Sequence, residues 1–201
     1  DNVTCRLADP DRSVNANGLQ VFGSVTKAAV ATGAELMGYY GFSASNYLEQ
    51  PYNSDLDFGT GDFCVMGWVK TTSTGLFQAI LHRSLAGGAG GFLIHIDPAG
   101  LVNVFESATT TFTNKLQGTT SLHTNTWRFV VVERLSGSLS IAIDGVQEAS
   151  VADTTNITYA NTVMRPGARN DVTVSYIAGS IALLRASATA PSAEQIAKIY
   201  N

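Results

Sequence analysis

The 201-residue chain carries few charged side chains (14%) and a net charge of −4, and its basic residues form no runs. Nucleic-acid binding depends on clustered Lys and Arg, so this composition argues against a nucleic-acid partner. No apolar run reaches the roughly 18 residues that a membrane-spanning helix needs, so we expect no insertion into a membrane. The length suits one all-β domain, and we find no linker or repeat, so residues 1–201 are expected to form a single domain.

The first structural signal along the chain is the segment Asp55–Asp62, in which three carboxylates and two glycines fall within eight residues. An EF-hand calcium loop requires an oxygen-bearing side chain at its fifth position, Gly at its sixth and Glu at its twelfth. Counted from Asp55, these positions hold Gly59, Thr60 and Met66. We therefore interpret the segment as a turn that leads into a strand and expect no cofactor, with a bound Ca²⁺ as the alternative.

The two cysteines, Cys5 and Cys64, are too few for a disulfide-based scaffold. They would pair if the first strand lay beside the strand that contains Cys64. We favour the other interpretation, that both are small buried apolar side chains, because free cysteine packs well in protein cores.

From residue 63 onward, apolar runs alternate with turn residues, which predicts a series of β-strands. Asp144-Gly145 is a strong signal for a two-residue hairpin turn, because a type I′ turn needs positive φ at both central positions. The predicted strands are Phe63–Lys70, Leu76–His82, Gly91–Asp97, Leu101–Ser107, Trp127–Arg134, Leu139–Ile143, Val146–Val151, Val172–Ile177 and Ser180–Arg185.

One segment near the end of the chain, Ser192–Tyr200, has the pattern of a helix. Ser192 and Gln195 are spaced as a capping box, and Ile196 and Ile199 recur at helical spacing. Many short strands, Gly-rich turns and one terminal helix together predict an all-β fold with two packed sheets.

Six short motifs between residues 45 and 201 occur in a characteristic order. They are Leu56–Phe63 with Gly67-Trp-Val-Lys70; Ile80-Leu-His-Arg83 with Gly91-Phe-Leu-Ile94; Thr126-Trp-Arg-Phe-Val130; Ile143-Asp-Gly-Val146; Pro166–Asn170; and Ser180–Arg185 with Ala190–Ile196. In this order they resemble the laminin G-like domain of the concanavalin A-like lectin/glucanase superfamily. The resemblance implies a two-sheet antiparallel jelly-roll sandwich with one short C-terminal helix.

Further segments, Asp11–Gly23, Phe42–Leu48 and Leu183–Ile196, are similar to versions of this domain in bacteriophage virion and tail proteins. The similarity implies a non-catalytic recognition module of a longer virion or tail protein that binds a host-surface glycan or a similar polymer. The alternative is a structural, oligomerising or decorating module of the virion without a ligand of its own. The implied partners are the glycan and other virion subunits, in a homo-oligomer, and the implied location is the virion surface, with a secreted protein as the alternative.

Catalysis is not expected. Glucanases of this superfamily carry acidic residues at alternate positions of one strand, which places them in one cleft as acid and base or nucleophile. Here Glu106 and Glu133 are single acids within apolar strands, and neither a His-x-x-x-His nor a Cys-x-x-Cys motif occurs. We therefore predict no catalytic residue and no metal-ligand set.

Sugar binding requires an aromatic surface beside amide or carboxylate groups. Three loop segments combine such residues, although each tyrosine also fits the role of a packed residue. The predicted ligand-binding residues are Tyr52, Asn53, Tyr159, Asn161, Arg169, Asn170 and Asp171.

Overall fold

Two antiparallel β-sheets packed against each other form most of the protein. The computed structural model describes residues 18–85, 90–109, 111–170 and 175–200. Its strands are β1 Gln20–Phe22, β2 Thr26–Ala29, β3 Met37–Tyr40, β4 Tyr47–Glu49, β5 Phe63–Thr71, β6 Gln78–Ser84, β7 Gly91–Ile96, β8 Val102–Ser107, β9 Thr113–Gln117, β10 Arg128–Leu135, β11 Ser138–Ile143, β12 Val146–Ala152, β13 Val163–Pro166 and β14 Gly179–Ser187. A 3₁₀ turn spans Ser54–Leu56, and helix α1 spans Ala193–Tyr200.

The larger sheet has seven strands in the order β12-β11-β10-β5-β14-β3-β2, and the smaller sheet has five in the order β13-β6-β7-β8-β9. Strands β1 and β4 form a separate two-stranded ribbon. All of these strand pairs are antiparallel. The prediction of an all-β, two-sheet antiparallel jelly-roll sandwich with one short C-terminal helix is therefore confirmed.

The core lies between the two sheets and is built by alternating apolar side chains. Successive residues of a strand point to opposite faces of its sheet, so every second residue of the central strands enters the core. These core residues include Val65, Val69, Val130 and Val132 from the larger sheet and Ile80, Ile94 and Ile96 from the smaller. At one end the rings of Phe58, Phe63 and Phe92 pack together, with the Phe63 centroid 5.5 Å from Phe58 and 5.6 Å from Phe92.

The predicted hairpin turn between β11 and β12 is confirmed. Asp144 has a φ of 51° and Gly145 a φ of 80°, as a type I′ turn requires. Asp144 also anchors the turn to the sheet, because its carboxylate accepts a hydrogen bond from the Phe129 backbone N–H at 2.9 Å. The Arg128 guanidinium donates to the same carboxylate at 2.5 Å.

Helix α1 covers part of the outer face of the larger sheet. Its predicted capping box is present, since the Gln195 N–H donates to Ser192 Oγ at 3.3 Å and the Ser192 N–H donates to Gln195 Oε1 at 2.7 Å. Ile196 is buried in a cluster with Cys64, Phe129 and Val131 of the sheet below. Among the described residues, no helix combines the length and the apolar composition needed to cross a membrane.

Cys64 is a buried free thiol beneath this helix. Burial raises its pKa to about 12, and the nearby Glu133 carboxylate adds to the increase. The thiol is therefore inert at neutral pH, as the interpretation of Cys64 as a small apolar side chain predicts. Cys5 lies outside the described residues.

Sequence periodicity missed the shortest strands, β1 to β4, β9 and β13. Each has only three to five residues. All four residues of β2 are exposed, so this strand has no apolar alternation to detect. The predicted strand Val172–Ile177 falls partly on residues 171–174, outside the described part, and Tyr176 forms an isolated bridge with Ala168.

Substitution of Ile196 tests the docking of the helix. We expect Ile196→Ala to lower the free energy of unfolding by about 2–4 kcal/mol, because it leaves a cavity against the sheet. Ile199→Ala is the matched control: this side chain is 48% exposed, and its loss is expected to change stability by no more than about 0.5 kcal/mol. Urea unfolding of both variants measures the difference, and equal effects would show that the helix does not depend on Ile196.

Candidate functional site

The six predicted ligand-binding residues that the structure describes lie on loops connected to the C-terminal end of β6. We call them the rim cluster: Tyr52, Asn53, Tyr159, Asn161, Arg169 and Asn170. Arg83, next to the end of β6, is 1% exposed and forms an ion pair with Asp57. Its guanidinium also donates to the carbonyl of Ile157 at 3.5 Å. One buried cation therefore holds the loops of Tyr52 and of Tyr159 against the same strand.

Tyr52 and Asn53 lie at the beginning of the first of these loops. The Tyr52 ring is 41% exposed, and its hydroxyl donates to the Asp57 carboxylate at 2.8 Å. The same hydrogen bond raises the pKa of the tyrosine. The Asn53 side-chain oxygen caps the 3₁₀ turn by accepting from the Asp55 N–H at 2.8 Å. The ring thus presents a face to solvent while its polar groups are fixed by the loop.

Tyr159 and Asn161 lie on the second loop. The Tyr159 side chain is half-buried and lies against Gly90, where a Cβ atom would come within 2.2 Å of the ring. Asn161 is exposed and has a φ of 63°, a left-handed conformation that Asn tolerates better than most residues. Asn161 therefore has a turn-forming role in addition to any role in binding.

Asn170 joins the rim cluster to the last residue of β6. Its side-chain N–H donates to the Ser84 carbonyl at 2.7 Å, and Ser84 Oγ donates to its side-chain oxygen. The Asn170 backbone N–H donates to His82 Nδ1 at 3.2 Å. Arg169 is half-buried, and Asp171 lies outside the described residues.

The Asp55–Asp62 segment is a turn that leads directly into β5, and a second buried arginine holds its backbone. The Arg134 guanidinium donates to the carbonyls of Gly59 at 2.7 Å, Gly61 at 2.8 Å and Thr155 at 2.8 Å. It also pairs with the Asp153 carboxylate at 2.7 Å. Carbonyl and carboxylate oxygens are the ligands that calcium prefers, and here a side-chain cation binds them.

The turn's own carboxylates point to separate partners. Asp57 pairs with Arg83, whereas Asp62 accepts from the Ser136 N–H at 2.8 Å. Among the described residues, no group of three His, Cys, Asp or Glu side chains is arranged to hold a metal ion. The expectation that the turn works without a cofactor stays a prediction.

Sequence reasoning missed a carboxyl pair beside Arg134. Glu106 of β8 is buried next to Asp153, and Lys115 lies 3.6 Å from the Asp153 carboxylate. Burial, and then the charge of Asp153, raise the pKa of Glu106 to about 7. Burial alone would raise the pKa of Asp153 as well, but hydrogen bonds from Thr155 and Arg134 lower it below its usual value. The pair comes from distant positions of the chain, so no local motif identifies it.

Arg134 substitutions test whether its charge or its geometry holds the turn. We expect Arg134→Met to lower the free energy of unfolding by about 3–5 kcal/mol, because Asp153 loses its buried partner. Arg134→Lys keeps the charge but lacks the planar fork, so it is expected to recover only part of this loss. Chemical denaturation measures both, with Arg185→Lys at an exposed position as the control. A fully stable Arg134→Lys variant would rule out the geometric role.

Glu106→Gln tests the pH dependence. A carboxyl whose pKa is raised in the folded state stabilises the fold when protonated, so its contribution falls as pH rises from about 4.5 through about 7. The unfolding free energy of the wild type minus that of Glu106→Gln should therefore decrease between pH 5 and pH 8. One pKa unit corresponds to about 1.4 kcal/mol, so the total change is roughly 3 kcal/mol. Urea titrations across this pH range measure it, and a constant difference would contradict the assignment.

Solved structures with a similar fold are binding domains of clostridial toxins. The binding domain of Paraclostridial Mosquitocidal Protein 1 has a TM-score of 0.74 at 13% identity, covering 96% of this chain and 49% of that one. The binding domain of botulinum neurotoxin DC in complex with SialylT gives 0.69 at 13% identity, with 91% and 46% covered. A structure of botulinum neurotoxin type C, whose cell entry depends on interaction with two ganglioside molecules, gives 0.67 at 12%, with 91% and 46% covered.

This chain spans about half the length of those domains. At such low identity the likeness concerns the fold alone, and it does not place the glycan contacts of those proteins in the matched half. No match was found among curated protein sequences. A laminin G-like family model does match residues 42–197, which is most of the chain, and the protein therefore belongs to the concanavalin A-like lectin/glucanases superfamily.

Proposed function

We propose that this protein is a non-catalytic recognition module that binds carbohydrate through the rim cluster. The observation that carries the proposal is that Tyr52, the loop of Tyr159 and the Asn170 amide are all linked by hydrogen bonds to the C-terminal end of β6, within a lectin-like sandwich. Sugars are bound by an apolar ring face together with amide and carboxylate groups that pair with hydroxyls. The rim cluster contains two tyrosine rings and three asparagine amides.

The rigidity of the loops supports binding at this position. Arg83 ties both loops to β6, so the Tyr52 ring is presented without a large loss of loop entropy on binding. A single open sugar site buries little apolar area, so its affinity is expected to be weak. Several copies on one particle would raise the avidity by about 10²-fold without new contacts.

The arrangement of the acids supports binding without cleavage. A glycosidase needs two carboxyl groups on either side of a bound sugar. The carboxyl pair of Glu106 and Asp153 is buried, and Arg134 and Lys115 form ion pairs with the Asp153 carboxylate. It has no access to a polymer chain, so we assign it a structural role.

The proposed setting is the surface of a bacteriophage tail or virion, where the module recognises a host-surface glycan as part of a homo-oligomer. The resemblance to phage proteins that we infer from the N-terminal sequence motivates this setting. The binding role of the solved toxin domains also fits a secreted protein, which is the alternative location. The proposal involves no nucleic acid and no membrane insertion. It also involves no metal ion, because the buried Arg83 and Arg134 side chains hold the loops.

A structural virion module is the second candidate, and the edges of the larger sheet favour it. Within the part of the chain that the structure describes, strands β2 and β12 each pair with one neighbour, so one edge of each can accept another strand. On β12, Val146 is 67% exposed and Val151 is also exposed, which suits packing against another subunit.

Tyrosine substitutions on a multivalent form of the protein test the recognition role. We expect Tyr52→Ala and Tyr159→Ala to weaken binding to host cells and to arrayed host-surface glycans by about tenfold or more, equivalent to about 1.4 kcal/mol. Tyr52→Phe keeps the ring and should retain most of the binding.

The matched control is Tyr40→Ala. Tyr40 is exposed and pairs with Ser180, which in turn pairs with Lys70 near the end of β5 that is opposite to the rim cluster. Melting temperatures verify that each variant is folded. If the wild type binds neither cells nor glycans, and deletion of the domain disrupts particle assembly, the structural candidate is supported instead.

A further inference from the structure

A second surface with the composition of a sugar site lies on the outer face of the five-stranded sheet. Phe92, Ile94 and Ile96 of β7 point into the core, so Leu93 and His95 point outward. Across the sheet, His95 pairs with Asn103 of β8, which pairs with Gln117 of β9. His95 is four residues along β7 from Gly91, so this row lies about 13 Å from the rim end of the strand.

An aromatic stack forms one half of this surface. The His95 ring lies between Phe77, with centroids 4.8 Å apart, and Phe105, with centroids 4.9 Å apart. His95 is only 4% exposed, whereas Phe77 is 45% exposed and presents an apolar ring to solvent. Neither nitrogen of His95 has a hydrogen-bond partner among the described residues. Buried polar groups are nearly always paired, so the unpaired imidazole indicates a place where an external hydroxyl can bind.

A row of amides around one carboxylate forms the other half. Asp97 accepts hydrogen bonds from the side chains of Asn103 at 3.1 Å and Gln117 at 2.9 Å. Asn114 donates to the Asn103 side-chain oxygen at 3.1 Å. Each amide has two donors and an acceptor oxygen, and the exposed Asn114 and Gln117 use one donor each in these contacts. Their remaining donors and oxygens are available to sugar hydroxyls.

The charge of this surface selects the type of sugar. The backbone N–H groups of Ala99 and Leu101 also donate to Asp97, so every side chain and amide that contacts its carboxylate is a neutral donor. Among the described residues no cation pairs with this carboxylate, although burial and then the positive charge of Arg169 lower the pKa of the neighbouring His95. A carboxylated sugar such as a sialic acid would be repelled here, whereas the hydroxyls of a neutral sugar can donate to Asp97.

We propose that this face binds a neutral saccharide chain, with Phe77 stacking on one sugar unit and the amides of Asn114 and Gln117, roughly 14 Å away across three strand spacings, bonding hydroxyls of another unit. The assignment rests on the proposed carbohydrate-binding function and adds a second binding surface of defined specificity. The His95 ring packs at a tilt against Phe77, with centroids 4.8 Å apart, and provides one further polar contact when the Phe77 ring shifts over a ligand.

The experiment measures binding of multivalent protein to immobilised neutral cello-, malto-, β-1,3-gluco- and chito-oligosaccharides, with 3′-sialyllactose as the anionic comparison. We expect binding to at least one neutral series and a decrease of about tenfold for Phe77→Ala and for Gln117→Ala. Leu76→Ala is the matched control, since Leu76 is the exposed neighbour of Phe77 on the same turn, and it should bind as the wild type does. Titration of monomeric protein should shift the side-chain amide NMR signals of Asn114 and Gln117.

The outcomes separate the two proposals. Suppose that neutral sugars bind, that only Tyr52→Ala and Tyr159→Ala weaken this binding, and that the amide signals do not shift. The second surface is then excluded, and the rim cluster remains the proposed binding site. If 3′-sialyllactose binds and shifts the Asn114 and Gln117 signals, the neutral specificity is wrong. If the wild type binds no saccharide on the array or on host cells, both proposals fail.

Discussion

The buried guanidinium of Arg134 is the interaction on which the functional end of the molecule depends. It makes four hydrogen bonds to the loops on either side of it and lies over the Phe63 ring at 5.2 Å. Irregular loop backbone needs partners when it is buried, and a planar fork with five donors can satisfy several carbonyls at once. Most of this loop backbone lies outside regular secondary structure, and the arginine supplies the hydrogen-bond donors that a neighbouring strand would supply in a sheet.

Arg83 has the same role at the end of β6, where it pairs with Asp57. Two buried cations therefore hold the loops in place, while the Tyr52 side chain remains exposed. This division of roles suits weak, repeated contacts with a polymer, since little loop ordering is required on binding. The rim cluster and the outer face of the five-stranded sheet share strands β6 and β7. A saccharide of several units is longer than their separation of about 13 Å along a strand, so one chain can contact both.

The comparison with toxin binding domains illustrates how far a fold constrains function. A TM-score of 0.74 at 13% identity means that the backbone path is shared although most side chains differ. Folds of this kind host many unrelated activities, so a ligand has to be argued from particular side chains. Here the proposed recognition role rests on the exposed ring of Phe77 and on amides that lie on the same sheet face.

Local sequence determined the elements whose signals are short-range: the long strands, the type I′ turn at Asp144-Gly145 and the capped helix at Ser192. Such signals depend on periodicity and on backbone preferences, which neighbouring residues specify. The sequence also named candidate loop residues, but it could not show that Tyr52 and Asn170 connect to one strand end. The pairing of Glu106 with Asp153, the carbonyls around Arg134 and the row from His95 to Gln117 all join residues that are distant in the chain. Only the strand register of the folded protein brings them together, because their contacts depend on how the sheets pack.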